Sequence, residues 1–403
     1  MAEGGPITRL PPAPWTQRAD LAELLTALDP AGEACRFVGG AVRDTLLGQE
    51  VADIDVATTL EPVEVIARLD AAGIRSVPTG LAHGTVTAIR EHGNVEITTL
   101  RRDVSTDGRR ATVAFSSDWR DDAARRDFTI NALYADPHEL TVADYFGGLD
   151  DLAARRVRFI GDPEQRIRED YLRILRYFRF QARFGSLPAD TEAESACARL
   201  APGMKALSRE RVGWELLNLL ALPDPAPTVA RMAELGVLRE VLPEVREAGP
   251  QALAALVMEE RSQGVARDGL RRLAALLPPE PALAEQLAAR LRLSIAQRKR
   301  LSVVARGDDA SSTGDPRALA YRIGRDAAID RLLIAGQSVA PLAGWEKPRL
   351  PIKGGDIVAR GIGPGPEVAR ILQTVEARWV AEGFPDAARV AELLEATLQG
   401  NAA

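Results

Sequence analysis

Cysteine and histidine are scarce in this chain, with two of the first and three of the second among 403 residues. Cys35 and Cys197 lie far apart and in no metal-like spacing. A reducing, cytoplasmic compartment is therefore expected, with both as small buried hydrophobes. His83, His92 and His138 are too few for a zinc site or for the histidine-rich metal site of a phosphohydrolase. No uninterrupted apolar run is long enough to span a bilayer, and the N-terminus lacks the basic-then-apolar order of a secretory signal, so no membrane partner is expected. A surplus of positive charge is missing too: Lys and Arg total 51 against 57 Asp and Glu, a formal net charge of -6. A nucleic-acid partner would have to be gripped by local basic surfaces.

What is present is a folded, helix-rich composition, 46% hydrophobic, in a chain longer than one hydrophobic core usually organises. Residues 1–17, rich in Pro and Gly, read as a loose segment. Residues 18–149 carry a short helix at Asp20–Leu28, a helix near Pro62–Ala72, and strand signals at Cys35–Val38, Ala52–Ala57, Thr85–Arg90 and Val95–Leu100. The polar stretch between Arg101 and Asp118 reads as a mobile loop. Beyond Asp150 helical periodicity takes over. Breaks at Leu222–Pro225, Pro278–Pro281 and Gly307–Asp309 divide it. The expectation is an α+β chain: a small mixed-sheet head (18–149), then an extended all-helical neck (150–222), body (223–306) and tail (307–403).

The first chemical constellation is Phe37-Val38-Gly39-Gly40-Ala41-Val42-Arg43-Asp44 followed by Asp53-Ile54-Asp55. On a strand, Asp53 and Asp55 project to one face while Ile54 and Val56 enter a core. Two adjacent carboxylates repel unless a cation sits between them, which favours a divalent metal. Glycines let backbone N–H groups approach an anion, and a helix opening at Ala41 adds its positive end. A triphosphate on magnesium fits this arrangement.

The second constellation is Arg125-Arg126-Asp127-Phe128-Thr129-Ile130-Asn131. It reads either as a helix capped by Asp127, with Asn131 one turn along the same face toward a phosphate or ribose, or as a helix start with solvated arginines. The third runs from Glu169 to Arg179. On a helical wheel Ile167, Tyr171, Ile174, Leu175, Phe178 and Ala182 form an apolar stripe, while Glu169, Asp170, Arg173, Arg176, Arg179 and Arg183 fill the other arc. That arc is either a solvated face with Glu–Arg pairs or, given its excess of arginine, a face that offers guanidinium groups to phosphates or bases.

These segments, GGAVRDTLLG with DIDVAT, RRDFTINAL, DYFGGLDD and EDYLRILRYFRF, together resemble the class II tRNA nucleotidyltransferases. That family holds CCA-adding enzymes and bacterial poly(A) polymerases. The resemblance is dense over residues 35–185 and weaker at Lys353–Asp356 and Gly363–Val368. It implies that Asp53 and Asp55 hold two magnesium ions, and that Gly39, Gly40 and Arg43 bind the triphosphate of CTP or ATP. Arg126, Asp127 and Asn131 would hold sugar and phosphates. Glu169, Asp170 and Arg173 would recognise the base, with Arg176 and Arg179 contacting phosphates or closing the pocket. Glu96 is either a third acid near the metals or a solvated strand residue.

Poly(A) polymerases of this class carry a basic element after the two aspartates. Pro78-Thr79-Gly80-Leu81-Ala82-His83-Gly84-Thr85-Val86 looks like the CCA-adding type, with His83 read as a turn residue. The implied partner is the acceptor arm and 3′ end of tRNA, held by the helical half with Arg298-Lys299-Arg300, Arg306 and the Gly-Pro-Gly-Pro element; no obligate protein partner is evident. A poly(A) polymerase, a partial CC- or A-adding enzyme, and a catalytically silent RNA-binding protein remain as alternatives.

Overall fold

The computed structural model describes residues 8–107, 110–306 and 314–401. Among the described residues nine strands are formed: β1 (Cys35–Val38), β2 (Ile54–Thr58), β3 (Ser76–Gly80), β4 (Thr85–Ala88), β5 (Val95–Thr99), β6 (Arg101–Asp107), β7 (Arg110–Phe115), β8 (Leu133–Ala135) and β9 (Val142–Asp144). Seven make one sheet in the order β3-β4-β5-β2-β1-β8-β9. Only β2 and β5 run parallel in it; the other pairs are antiparallel. The helices of this part are α1 (Ala19–Leu28), α2 (Gly40–Leu46), α3 (Pro62–Ala71), α4 (Trp119–Ala124), α5 (Gly148–Ala153), α6 (Pro163–Glu169), α7 (Leu172–Phe184) and α8 (Thr191–Leu200). The mixed sheet and the helical remainder make the fold α+β, as expected.

Local sequence explains these elements. In α3, Pro62 opens the helix, where its missing N–H is not needed, and Val65 and Leu69 one turn apart are buried. In β2 the alternation sends Ile54 and Val56 into the core, both at most 5% exposed. Ala57, on the opposite side, packs with Val38, Tyr134 and Trp119. Both cysteines are free and buried, as expected.

Four local readings need correction. The described part of the N-terminal segment is anchored: Leu10 donates to the Leu140 carbonyl at 2.8 Å, and the buried Trp15 donates its indole N–H to Thr45 Oγ at 2.9 Å. Proline and glycine content masked these two apolar anchors. The stretch after Arg101 is the antiparallel hairpin β6–β7, with Arg101 opposite Phe115 and Asp107 opposite Arg110; its polar composition hid the pairing. No helix follows Asp127. Its carbonyl accepts from Ile160 and the Thr129 N–H donates to Arg158, so these backbone groups are used in a strand-like bridge, and only the single turn Thr129–Asn131 follows. Finally, α6 and α7 are not one helix. Asp170 is extended (φ -153°, ψ 105°), and its carboxylate takes the Leu172 N–H at 3.1 Å, so it starts α7 and ends α6. The buried face of α7 therefore includes Tyr177 and Phe180, which fall off the expected stripe.

The chain forms two compact units, Met1–Leu207 with Leu235–Glu240, and Ser208–Glu234 with Val241–Ala403. The second unit is helical, with cores around Trp379 and around Leu319 and Leu332. It buries an ion network in which Arg271 pairs with Glu260 at 2.6 Å and with Asp330 at 2.8 Å. Arg300 is drawn into it, at 2.6 Å from Asp330 and 2.7 Å from Asp268, so its charge is engaged internally. The break expected at Gly307–Asp309 lies outside the described residues. No helix among the described residues is long and apolar enough to cross a membrane.

One glycine ties α5 to the turn that carries Asn131. A Cβ on Gly148 would lie 2.3 Å from the Thr129 carbonyl oxygen, which is backbone and cannot swing away. Gly148→Ala is expected to destabilise the protein by about 1–3 kcal/mol, the usual range for overpacking. Urea unfolding measures this; an unchanged midpoint would mean that the contact does not hold the turn.

Candidate active site

Strand β1 delivers the chain to Gly39, whose φ of 69° and ψ of -120° suit only a residue without a side chain. A Cβ there would sit 3.5 Å from an Arg126 guanidinium nitrogen, so the turn and that arginine are close neighbours. Gly40 then opens α2. Arg43, one turn later, is buried: its Nε donates to Asp44 at 2.7 Å, another nitrogen donates to Asn131 Oδ1, and its plane lies over the Phe184 ring at 4.1 Å. Asp44 also accepts from Arg183 of α7 at 3.2 Å.

The carboxylates stand beside this turn. Asp55 is on β2, and Glu96 of β5 is its partner in the parallel register, so the two are abreast on neighbouring strands. Asp53 is exposed, just before β2 begins. Burial, the Glu96 charge and the Asp53 charge push the Asp55 carboxyl up to about 6, against a smaller downward pull from Arg126. Among the described residues no group of three or more His, Cys, Asp or Glu is placed to hold a metal by itself. Magnesium does not demand one: it is usually held by one or two carboxylates, with phosphate oxygens and water completing its shell. Asp55 and Asp53 fit that donor set, and Glu96 stands near as a further negative charge.

Behind them lies the Arg125–Asn131 segment. Arg126 donates to Asp122 at 3.1 Å and to the Tyr134 hydroxyl at 3.0 Å, and that hydroxyl donates to Asp122 at 2.7 Å. Burial alone would raise Asp122, but Arg126, Arg125 and Tyr134 hold it down at about 2. Asp127 accepts from Asn131 Nδ2 at 2.9 Å and from Arg176 Nε of α7 at 2.8 Å. Despite its burial these partners keep it well below the usual carboxylate range.

A cleft of about 440 Å³ gathers Gly39, Gly40, Arg43, Asp55, Arg126, Asp127, Asn131, Asp170, Arg173 and Arg176. All ten were singled out from the sequence. Asp53, Glu96, Glu169 and Arg179 are outside that lining: Asp53 and Glu96 flank Asp55, Glu169 pairs with Arg173, and Arg179 lies over the Phe180 ring at 5.0 Å. Phe180 lines the cleft and was missed because the helical wheel placed it on neither arc. Asp122 and Arg166 were missed as well. The Asp122–Arg126 spacing of four residues was the readable signal for the first. His83 ends a short 3-10 turn at Gly84 before β4, as expected.

Two family models match the chain: the poly A polymerase head domain over residues 35–158, and the probable RNA and SrmB-binding site of polymerase A over residues 189–248. The human protein CCA tRNA nucleotidyltransferase 1, mitochondrial, is 36% identical over 376 residues, covering 87% of this chain and 83% of its own length. The chain belongs to the CCA tRNA nucleotidyltransferases. Solved structures share the fold of these nucleotidyltransferases. The Bacillus stearothermophilus CCA-adding enzyme in complex with CTP superposes with a TM-score of 0.75 at 24% identity, covering 97% of this chain and 99% of its own. The Thermotoga maritima CCA-adding enzyme complexed with tRNA superposes with a TM-score of 0.69 at 21% identity, covering 94% of each chain. Membership in a family of tRNA nucleotidyltransferases counts against the silent RNA-binding alternative.

The raised Asp55 carboxyl makes the stability of the metal-free nucleotidyltransferase depend on pH. An unfolded aspartate titrates near 3.9, about two pH units below the folded value. Between those values the folded state binds the proton more tightly, so stability is greatest below the unfolded pKa and is lost as pH rises through about 6. Asp55→Asn should stabilise the metal-free protein at pH 7 by about 1–2 kcal/mol, after discounting for solvent screening, and should abolish the stabilisation that magnesium gives the parent. Thermal melts at pH 5 and 7, with EDTA or magnesium, would show it; a variant that melts below its parent at pH 7 in EDTA contradicts it.

Proposed function

We propose that this chain adds or repairs the 3′-terminal CCA of tRNA, using CTP and ATP and releasing pyrophosphate. The observation that carries the reading is the single cleft in which a glycine turn, Asp55, the Arg126–Asn131 segment and the Asp170–Arg173 pair converge.

The 3′ oxygen of the RNA attacks the α-phosphorus, the bond to pyrophosphate breaks, and the hydroxyl proton is lost to solvent. Arg43 and Arg126, with the backbone at Gly39 and Gly40, neutralise and orient the triphosphate. Asn131, fixed by Asp127, faces the ribose, and Arg176 and Arg179 close the pocket from α7. Asp53 and Asp55 would hold magnesium, with Glu96 nearby; when bound, the metal makes the RNA 3′-hydroxyl more acidic and offsets charge on the leaving pyrophosphate.

Cytosine and adenine each present an exocyclic amine donor beside a ring-nitrogen acceptor. The Asp170 carboxylate accepts from the amine and the Arg173 guanidinium donates to the ring nitrogen. Uracil and guanine invert that pattern and would leave both protein groups unpaired. The helical unit is proposed to hold the tRNA acceptor arm, with Arg298, Lys299 and Arg306 contributing. Because that grip would rest on cation–phosphate contacts, it should weaken steeply with salt. The free, buried cysteines suit a reducing compartment, and the cytoplasm is the one we propose.

Incubation with CTP, ATP and magnesium on tRNA ending at the discriminator base, read on a sequencing gel, tests the reading. Growth by three nucleotides that stops at CCA is expected. Asp53→Ala and Asp55→Ala should each lower the rate by about a thousand-fold or more while tRNA binding persists. Addition of two cytidines only, or one adenosine only onto tRNA-CC, would replace full addition with partial addition. A long adenosine ladder on any RNA would replace it with poly(A) synthesis, and no extension would overturn the enzyme reading.

A further inference from the structure

Of the proposed base readers, Asp170 sits at the break between α6 and α7, and Arg173 in the first turn of α7, where few helical hydrogen bonds have yet formed. A template for a base must be held at a fixed place relative to the ribose and phosphates, since a misplacement of about 1 Å is enough to lose discrimination. Something other than the helix must supply that constraint. Arg166, on α6 and 7% exposed, is the side chain that spans the two parts of the site.

One Arg166 guanidinium nitrogen donates to the Arg126 carbonyl at 2.7 Å and also to the Arg125 carbonyl. Another lies 2.7 Å from Glu169 Oε2. That same carboxylate oxygen receives Arg173 Nη1 at 2.5 Å. Arg173 Nη1 also donates to the backbone carbonyl of Arg166 at 2.7 Å, and its other terminal nitrogen lies 3.4 Å from the Arg125 carbonyl that Arg166 holds. Three of the contacts that orient the Arg173 guanidinium thus trace to Arg166: its carbonyl, its shared carboxylate and its shared anchor at Arg125. The segment it grips is the one whose side chains, Arg126 and Asp127, line the cleft and are proposed to hold the triphosphate and ribose. Only a planar fork with several donors can hold carbonyls on one side and a carboxylate on the other; a lysine ammonium would keep the charge but not that geometry.

We propose that Arg166 is a positioning residue for base selection, acting through Glu169 to fix Arg173 at a set distance from the Arg125–Asp127 segment. The inference rests on the reading of Asp170 and Arg173 as base readers. The competing account is a buried arginine that only stabilises the fold. A purely structural residue would lower activity toward every nucleotide alike. A positioning residue changes the ratio between nucleotides.

The experiment measures kcat/KM for CTP and for UTP on tRNA lacking its CCA end, together with inhibition by inorganic triphosphate, for the full chain and for Arg166→Lys and Glu169→Gln. The expected result for Arg166→Lys is at least a ten-fold fall in the CTP-over-UTP preference, with triphosphate inhibition within two-fold of the parent. Glu169→Gln should show the same direction, and the double variant should lose less than the sum of the two, because both changes break one chain of contacts. If Arg166→Lys fails to fold, Glu169→Gln decides. A CTP-over-UTP ratio within two-fold of the parent in the folded variants, at whatever absolute rate, would overturn the proposal. Failure of the parent chain to prefer CTP over UTP at all would instead remove the base-reader assignment on which it rests, and the two failures are distinct on the same gel.

Discussion

Each of the four arginines that line the cleft is paired with a carboxylate. Arg43 leans on Asp44, Arg126 on Asp122, Arg173 on Glu169 and Arg176 on Asp127. A guanidinium without such a partner would swing on its long stem and lose rotamer freedom again on meeting each substrate. With one it presents its remaining donors in a fixed plane, and the cost of ordering falls on folding and not on binding. The rest of the head serves this arrangement. The sheet sets β1 and β2 side by side so that the glycine turn meets Asp55, and the strand-like bridge at Phe128 and Phe159 stations Asp127 opposite α7.

That construction also explains why the composition is misleading about the partner. An enzyme that handles triphosphates and RNA would be expected to be basic, yet the formal net charge is -6. Many of its acids are matched to arginines: Asp122, Asp127 and Asp44 in the head, Glu260 and Asp330 in the helical unit. Total charge is then a poor guide to where positive potential gathers, because it counts partners and anchors equally.

Much of the site was legible because short motifs place their residues by local rules. Alternation on β2 placed Asp55 opposite its buried neighbours, and the Gly39–Arg43 spacing placed both at one turn. What stayed hidden depends on contacts between distant segments. Polar composition concealed the β6–β7 hairpin, which shows itself in its backbone pairing. Helical periodicity ran through Asp170 because a one-residue break leaves the apolar spacing almost intact, although the carboxylate itself restarts the helix. Phe180 is buried yet reaches the cleft, a double role that periodicity cannot express. Arg166 reads as an ordinary charged residue of a helix until its carbonyl partners some forty positions away are seen.

The parallel pairing of β2 with β5 carries one more implication. The chain travels through α3, β3 and β4 between these strands, so Glu96 comes abreast of Asp55 only when that excursion has closed. The repulsion between the two carboxyls therefore belongs to the finished sheet and is absent from a chain in which β5 has not docked. The acidic edge of the head is thus a property of the completed sheet: neither segment carries it alone, and it exists only once the whole excursion from β2 to β5 has folded.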